Sequence, residues 1–250
     1  MTREETIPDN ELTAKELRQR LKEQIQQVGE CLEREVLPLA GDGPAGTGGE
    51  FENSGFMRQC KDHADRVFEL LDLTRDLSEA RLLVLDNGTG HLPRRLADWD
   101  TDVVAVELTE KLKKSATLLN SYPSIIYRKT NPFILSQEFD LVLDSGILSY
   151  FHPEIVKYFL PRLARFSRRK MILGFRTARP WRLRLLTGIF HRENDCTHLD
   201  EFRFSPVEVD ELIETSCNML LTERNVSGTS LLIKALRKPH SVGSGRSDPG

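Results

Sequence analysis

The sequence contains no long apolar run. None of its hydrophobic stretches approaches the roughly 20 residues that a bilayer-spanning helix requires. The first residues, MTREETIPDNE, are polar and acidic, unlike the apolar core of a secretory signal peptide. Neither a membrane span nor an export signal is therefore expected.

Cysteine is scarce and scattered. The four cysteines are Cys31, Cys60, Cys196 and Cys217, and no two of them form a C-x-x-C pair. A disulfide framework is therefore not expected, and the cysteine usage favours a reducing, cytoplasmic compartment. Cys60-x-x-His63 and Cys196-x-His198 could bind a metal only if they met in space, and neither half has a recognised partner spacing. No metal site is predicted.

The chain begins with the pattern of an amphipathic helix. Thr13 and Glu16 form a capping box, and apolar residues follow at spacings of three and four from Leu17 to Val36. We expect this helix to pack on the main domain through its apolar stripe, with a dimerising coiled coil as the alternative. The glycine-rich segment 41–49 is typical of a flexible linker. Residues 1–50 are thus assigned to an N-terminal helix and its linker.

The remainder alternates between short apolar runs and helical patterns, as expected of one domain over residues 51–237. Predicted strands cover residues 82–86, 102–107, 124–128, 139–144, 170–175, 219–225 and 230–236. Predicted helices cover residues 56–73, 93–99, 109–121, 153–166 and 206–215. This order predicts an α/β fold with a Rossmann-like, doubly wound, mostly parallel seven-stranded sheet and an antiparallel edge. The tail, residues 238–250, is rich in Gly, Ser and Pro and is expected to be disordered.

The stretch LVLDNGTGHLP, residues 83–93, nearly forms a glycine-rich nucleotide loop. It follows the first predicted strand, where sheets of this kind usually bind their ligand. Gly88 and Gly90 would let a ligand approach the backbone and would allow positive φ. Leu92, however, stands where a dinucleotide-binding loop has its third glycine. The stretch therefore indicates either a loop for a different cofactor or an ordinary turn into a helix.

An acidic residue follows at an informative distance. The second predicted strand ends at Glu107, which comes 107 − 86 = 21 residues after Asp86. In dinucleotide-binding folds an acid about 20 residues after the loop reaches the ribose hydroxyls. A carboxylate accepts hydrogen bonds only, so it is suited to a ribose diol, in which both oxygens carry protons.

These features resemble the class I S-adenosylmethionine-dependent methyltransferases. VLDNGTGHL is similar to the family's first motif as far as the second glycine, VVAVELT is similar to its second motif at Glu107, and FDLVLDSGILSYF resembles its fourth. The resemblance covers roughly residues 82–236 and implies S-adenosylmethionine as the cofactor. Because this cofactor carries no phosphate, Leu92 is less damaging to its binding than to that of NAD.

The resemblance also implies a set of site residues. The cofactor-binding residues would be Asp86, Asn87, Gly88, Gly90, Glu107, Leu108, Asn131 and Asp144. Asn131 would contact adenine where the family often has an acid, although an Asn before Pro is equally typical of a turn. The candidate catalytic residues are Asp144, Tyr150 and His152. An imidazole has the most suitable ordinary pKa for a base near neutrality, but His152 followed by Pro153 is also a typical helix start.

Charge is distributed unevenly along the chain. The formal net charge is −3, yet residues 162–192 contain ten Lys and Arg and no Asp or Glu. This stretch is interpreted as a lid over a small-molecule pocket, as a nucleic-acid surface, as a segment resting on a membrane, or as a solvated basic face. We favour the lid because the net charge is negative. The predicted function is methyl transfer to an oxygen or nitrogen of a small molecule, which can itself be anionic. The alternatives are an RNA methyltransferase that uses the basic stretch and a non-catalytic binding protein with the same fold.

Overall fold

The structure is a computed structural model that describes residues 13–40, 55–176, 204–227 and 230–238. The predicted glycine-rich linker, the second half of the basic stretch from residue 177 onward and the predicted disordered tail beyond Lys238 lie outside these ranges. None of the helices within the ranges combines the length and the apolar character that crossing a bilayer requires.

Seven strands and seven helices make up the described part of the chain. The strands are β1 Arg81–Leu85, β2 Asp102–Glu107, β3 Ile125–Lys129, β4 Phe139–Asp144, β5 Ser167–Arg176, β6 Met219–Ser227 and β7 Ser230–Arg237. The helices are α1 Ala14–Ala40, α2 Gly55–Glu69, α3 Leu73–Leu77, α4 His91–Ala97, α5 Glu110–Asn120, α6 Pro153–Arg165 and α7 Pro206–Glu211. Short 3₁₀ turns follow β3 and β4 at Pro132–Ile134 and Ile147–Tyr150, and a π-helical turn, Leu212–Ser216, continues α7.

The strands form one sheet in the order β3-β2-β1-β4-β5-β7-β6. Neighbouring strands from β3 to β5 are parallel, whereas β7 runs antiparallel to both β5 and β6. The predicted Rossmann-like sheet with an antiparallel pair at one edge is thus confirmed. The chain reverses its direction of travel across the sheet between β1 and β4, and ligands of such sheets bind at that point, beyond the carboxyl ends of the strands.

Alternate residues of the central strand β1 serve the two faces of the sheet. Leu82 and Val84 pack with the buried side chains of α2 and α4, whereas Leu83 and Leu85 belong to the larger cluster that includes α1, α6 and α7. A strand that is buried on both faces reads as a continuous apolar run. This is why RLLVL was recognisable from sequence.

Two local expectations need correction. The helix predicted over residues 56–73 ends at Glu69, and α3 begins separately at Leu73. The reason is a new helix cap, because the Asp72 side chain accepts a hydrogen bond from the Arg75 N–H at 3.3 Å. In addition, Cys31 is disulfide-bonded, so the expectation of reduced cysteines is wrong for this residue. Spacing along the chain does not reveal which distant residues meet in space.

The first helix behaves as predicted at its start and along its stripe. The Thr13 N–H donates to the Glu16 carboxylate at 2.7 Å, and the Glu16 N–H donates to the Thr13 hydroxyl at 3.3 Å, which completes the capping box. The buried residues of the stripe are Leu17, Leu21, Val28, Leu32 and Val36. The helix therefore packs on the domain through its apolar face.

Candidate functional site

Hydrogen bonds to Asp86 shape the loop between β1 and α4. The Oδ2 atom of Asp86 accepts from the Gly90 N–H at 2.8 Å, and its Oδ1 atom accepts from the Ser145 hydroxyl at 3.1 Å. Gly88 and Gly90 have φ values of 88° and 66°, in the region that residues with a Cβ rarely adopt. The two predicted glycines are therefore required by the turn itself, and a Cβ at either one would meet Leu112 or Tyr127.

Asn87 connects the loop to the elements on either side of it. Its Nδ2 atom donates to the Ser145 carbonyl at 3.2 Å and to the Cys60 Sγ at 3.3 Å, while its Oδ1 atom accepts from the Thr89 hydroxyl at 2.7 Å. Leu92, at the position of the missing third glycine, is buried in the core beneath α4. An interior side chain thus holds α4 away from the sheet at the place where a dinucleotide loop needs close approach.

Glu107 lies beside Asp86, at the ends of two adjacent strands. The register pairs Leu85 with Val106, so the two carboxyl groups follow at the same edge of the sheet, and both are fully buried. The Oε1 atom of Glu107 accepts from the Gly88 N–H at 3.2 Å, whereas Oε2 is buried with no hydrogen-bond partner among the described residues. Burial and the neighbouring Asp86 raise the pKa of Glu107 well above its ordinary value. One acceptor atom is therefore left unused.

Asp144 ends β4 at the same edge of the sheet. Its Oδ1 atom accepts from the Ile147 N–H at 2.9 Å and its Oδ2 atom accepts from the Gly174 N–H at 3.1 Å. Burial raises the pKa of this carboxyl to about 7. The side chain therefore shapes the turn after β4 and ties it to β5, and its predicted roles in cofactor binding and catalysis stay predictions.

Other predicted site residues hold local structure. Asn131 caps the 3₁₀ turn after β3, because its Oδ1 atom accepts from the Phe133 N–H at 2.9 Å. His152 caps α6, where its Nδ1 atom accepts from the Glu154 N–H at 3.2 Å. Tyr150 packs partly buried against the larger core cluster, and Leu108 is buried within it. Their predicted functional roles stay predictions. The capping bond of His152 agrees with the interpretation of His152 and Pro153 as a helix start.

Helix α2 brings two residues to the site that sequence reasoning did not assign to it. Cys60 contacts Asn87 of the loop, and His63, one turn later, places its Nε2 atom 2.7 Å from the Asp144 carbonyl. The imidazole also lies against Gly146 and Gly174. Burial lowers the pKa of His63 to about 4, so the ring is neutral at neutral pH. The available signal was the i, i+3 spacing of the two residues, which places them on one helix face.

Helix α1 is attached to the domain at two places near the site. At one, the Gln24 Oε1 atom accepts from the His152 N–H at 2.9 Å, at the start of α6, which follows β4. At the other, the Glu33 carboxylate accepts from the Thr109 hydroxyl at 2.6 Å and from the Lys111 ammonium at 3.0 Å, at the start of α5, which follows β2. Both attachments lie just beyond the carboxyl ends of strands.

The geometry of these attachments sets the course of α1. The nine residues from Gln24 to Glu33 span about 13.5 Å along a helix axis. Strands β2 and β4 flank β1 on either side, so their ends are two strand spacings, or about 9.6 Å, apart. Helix α1 therefore connects the starts of the two helices that follow β2 and β4, on either side of β1.

Three cations in the described half of the basic stretch form ion pairs within the domain. The ion pairs are Arg168 with Glu138 at 2.9 Å, Arg169 with Asp140 at 3.8 Å and a buried pair of Lys170 with Asp76. Arg162 lies over the rings of Tyr158 and Phe159. These cations are engaged within the domain, which gives no support to a phosphate-binding surface here.

The sheet order, the glycine turn after β1 and the acid at the end of β2 together define the fold of the class I methyltransferases. Among solved structures with this fold is magnesium protoporphyrin IX methyltransferase (ChlM) from Synechocystis PCC 6803 with bound SAH. It superposes with a TM-score of 0.62 and 15% identity over 88% of this chain and 100% of that chain. The N-methyltransferase NodS from Bradyrhizobium japonicum WM9, in complex with S-adenosyl-L-homocysteine (SAH), superposes with a TM-score of 0.54 and 18% identity over 85% of this chain and 99% of that chain.

A third similar structure is a DhpI–SAH complex, with a TM-score of 0.53 and 14% identity over 89% of this chain and 97% of that chain. No family model matches the sequence, and no curated protein does so either. At identities of 18% and below, these likenesses establish the fold, and the activity has to be argued from the site.

Proposed function

We propose that this protein is an S-adenosylmethionine-dependent methyltransferase that transfers a methyl group to an oxygen or nitrogen of a small molecule. The observation that carries the proposal is the Oε2 atom of Glu107, a buried acceptor without a partner among the described residues at the end of β2. Leaving such an atom unsatisfied costs about 1–3 kcal/mol. A ribose hydroxyl would supply the missing hydrogen bond.

The residues around Glu107 fit this cofactor. Gly88 donates its N–H to the Glu107 carboxyl group, and Asp86 lies near it as a second buried carboxyl group. S-adenosylmethionine supplies an electrophilic methyl group on a positively charged sulfur, and a buried carboxylate pair favours a cation nearby. No pyrophosphate has to be held, so the buried Leu92 is compatible with this cofactor. Similar folds have been solved with SAM or SAH bound, which supports the assignment.

The chain's task in such a reaction is positioning. Methyl transfer is an in-line displacement, and the rate depends on holding the acceptor atom in line with the methyl group. We assign the acceptor to the region beyond the end of β4, where Asp144 fixes the turn and His63 presents a neutral imidazole. An acceptor hydroxyl could lose its proton to a nearby base, for which His152 and Tyr150 remain candidates.

A small-molecule acceptor is favoured over RNA for two reasons. Four described residues of the basic stretch, Arg162, Arg168, Arg169 and Lys170, are engaged with acidic or aromatic partners within the domain. Two of the similar structures are, by name, a methyltransferase of a porphyrin and an N-methyltransferase. Neither observation identifies an acceptor atom, so oxygen and nitrogen stay alternatives.

Calorimetric titration with S-adenosylmethionine, S-adenosylhomocysteine and NAD tests the proposal. We expect both sulfur cofactors to bind and NAD not to bind. Glu107→Ala should weaken cofactor binding by about 1.5–3 kcal/mol, through the loss of charged hydrogen bonds. Glu110→Ala is the matched control, because Glu110 is an exposed acid only three positions away. This variant should bind the two sulfur cofactors as tightly as the parent protein does.

Two results would contradict the proposal at different levels. If the parent protein binds neither sulfur cofactor, the enzyme proposal fails and the result favours a non-catalytic binding protein. If it binds both but Glu107→Ala binds equally well, the ribose assignment fails alone. A transfer assay with a labelled methyl group, run against small-molecule acceptors and against total RNA, then separates the two substrate classes.

A further inference from the structure

The two carboxyl groups of the site share an unusual environment. Asp86 and Glu107 are both fully buried and lie at the ends of adjacent parallel strands. Ionised carboxylates only accept hydrogen bonds, so neither group can satisfy the other when both are ionised. The donors to the pair are the Gly88 N–H to Glu107, and the Gly90 N–H and the Ser145 hydroxyl to Asp86.

No cation offsets two negative charges here among the described residues. The titratable groups that face the pair from neighbouring elements are Cys60 on α2, His91 on α4 and Tyr127 on β3. Burial lowers the pKa of His91, and burial raises the pKa of the Cys60 thiol and of the Tyr127 phenol. All three are therefore neutral near neutral pH. From α5 the nearest side chain at the loop is the apolar Leu112.

Two adjacent buried carboxylates without a counter-charge cannot both ionise, so the pair keeps one proton between them. We propose that binding of the cofactor's ribose at Glu107 expels the proton held between Asp86 and Glu107, so that cofactor affinity rises with pH. This inference rests on the proposed function. It adds a link between cofactor occupancy and the protonation of the site.

The exchange balances without any redox or covalent step. In the free protein the Glu107 carboxyl carries the proton of the pair. When two ribose hydroxyls donate to Glu107, the ionised form gains the hydrogen bonds that it lacked, and the proton passes to the buffer. The sulfonium of S-adenosylmethionine adds a positive charge that favours the same change, so S-adenosylmethionine should release at least as much proton as S-adenosylhomocysteine.

The test is titration calorimetry with S-adenosylhomocysteine in buffers that differ in ionisation enthalpy, repeated across the range from about pH 5.5 to pH 8.5. We expect release to approach one proton on the acidic side and to fall toward zero on the basic side. Over the acidic part, Kd should fall about tenfold for each unit that the pH rises. The ligand's carboxyl group titrates below this range, but an α-amine has an ordinary pKa of about 7.7–8.0, so proton release is assigned to the carboxyl pair by its loss in Glu107→Gln.

Two variants identify the proton. Glu107→Gln keeps the shape of the side chain but cannot ionise, so it should bind more weakly, with no proton release and no dependence on pH. Glu110→Gln should release the proton as the parent protein does. Infrared difference spectra provide an independent readout, since the protonated-carboxyl band should lose intensity when S-adenosylhomocysteine binds to the parent protein and should show no such loss in Glu107→Gln.

The outcomes separate the two proposals. Binding that is independent of pH and releases no proton would overturn this inference and leave the proposed function standing. A protonated-carboxyl band that keeps its full intensity when S-adenosylhomocysteine binds to the parent protein would also overturn it. Absence of binding by the parent protein at every pH would overturn both.

Discussion

The two glycines of the loop after β1 differ in what surrounds them, and this difference predicts different costs of substitution. A Cβ at Gly90 would stand 2.5 Å from the Tyr127 hydroxyl oxygen, 2.9 Å from the Asn120 Cβ and 3.1 Å from the Ala116 carbonyl oxygen. A Cβ at Gly88 would meet chiefly Leu112, with its Cδ2 at 2.5 Å. Leucine can rotate its far end away, whereas backbone and a Cβ cannot yield.

The expected magnitudes follow from two contributions. Both glycines have positive φ, so an alanine at either position costs about 1–2 kcal/mol for the left-handed conformation. Overpacking costs about 1–3 kcal/mol more where the neighbours cannot move. We therefore expect Gly90→Ala to lower the free energy of unfolding by about 2–5 kcal/mol and Gly88→Ala by about 1–2 kcal/mol.

Urea unfolding of the two variants measures these losses directly. A double-mutant cycle with Tyr127→Phe tests the assigned cause, because removing the hydroxyl removes the closest contact of the added Cβ. The double variant Gly90→Ala/Tyr127→Phe should recover about 0.5–3 kcal/mol relative to additivity. Equal losses for the two glycines, the reverse order, or strict additivity with Tyr127→Phe would refute the reasoning.

Three further predictions concern other parts of the molecule. Lys170→Ala should lower the free energy of unfolding by about 3–5 kcal/mol, because it leaves Asp76 buried and unpaired; a loss below about 1 kcal/mol in urea unfolding would contradict the buried pair. Glu33→Gln weakens the bond of α1 to Lys111 and should speed S-adenosylhomocysteine dissociation several-fold in stopped-flow measurements, with unchanged dissociation as the contrary result. Burial raises the pKa of Asp144 from 3.8 to about 7, so the folded protein loses stability as pH rises from 3.8 toward 7. Asp144→Asn should show a shallower loss over that window, and an identical pH profile would count against the assignment.

The sheet was predictable because its strands are buried on both faces. Runs such as LLVLD and VVAVE need no long-range information to be recognised, and an acid at the end of each run falls at the carboxyl edge once the strands are parallel. The adjacency of Asp86 and Glu107 followed from that. Their shared burial did not, because it depends on side chains such as Leu112 and Tyr127, which meet the loop only in the folded chain.

The acceptor end of the site was harder to predict. His63 reaches Asp144 across 81 residues, and a histidine on a helix face carries no local sign of what the helix packs against. Asn131 and His152 show the opposite case, since each is followed by a proline and each caps the turn or helix that the proline begins. Helix and turn capping therefore accounts for both residues. Their expected roles in adenine contact and catalysis depend on contacts that sequence spacing does not determine.

The position of α1 has a consequence for the time course of catalysis. Helix α1 joins the starts of α5 and α6 through Glu33 and Gln24, and in the proposed enzyme the opening of one attachment would be the step that releases the ligand from Glu107. Helix movements of this kind take microseconds to milliseconds or longer and often limit turnover. In the proposed enzyme the first methyl group would be transferred quickly, and each later cycle would wait for the spent cofactor to escape. The progress curve would then begin with a burst equal to the number of protein molecules present.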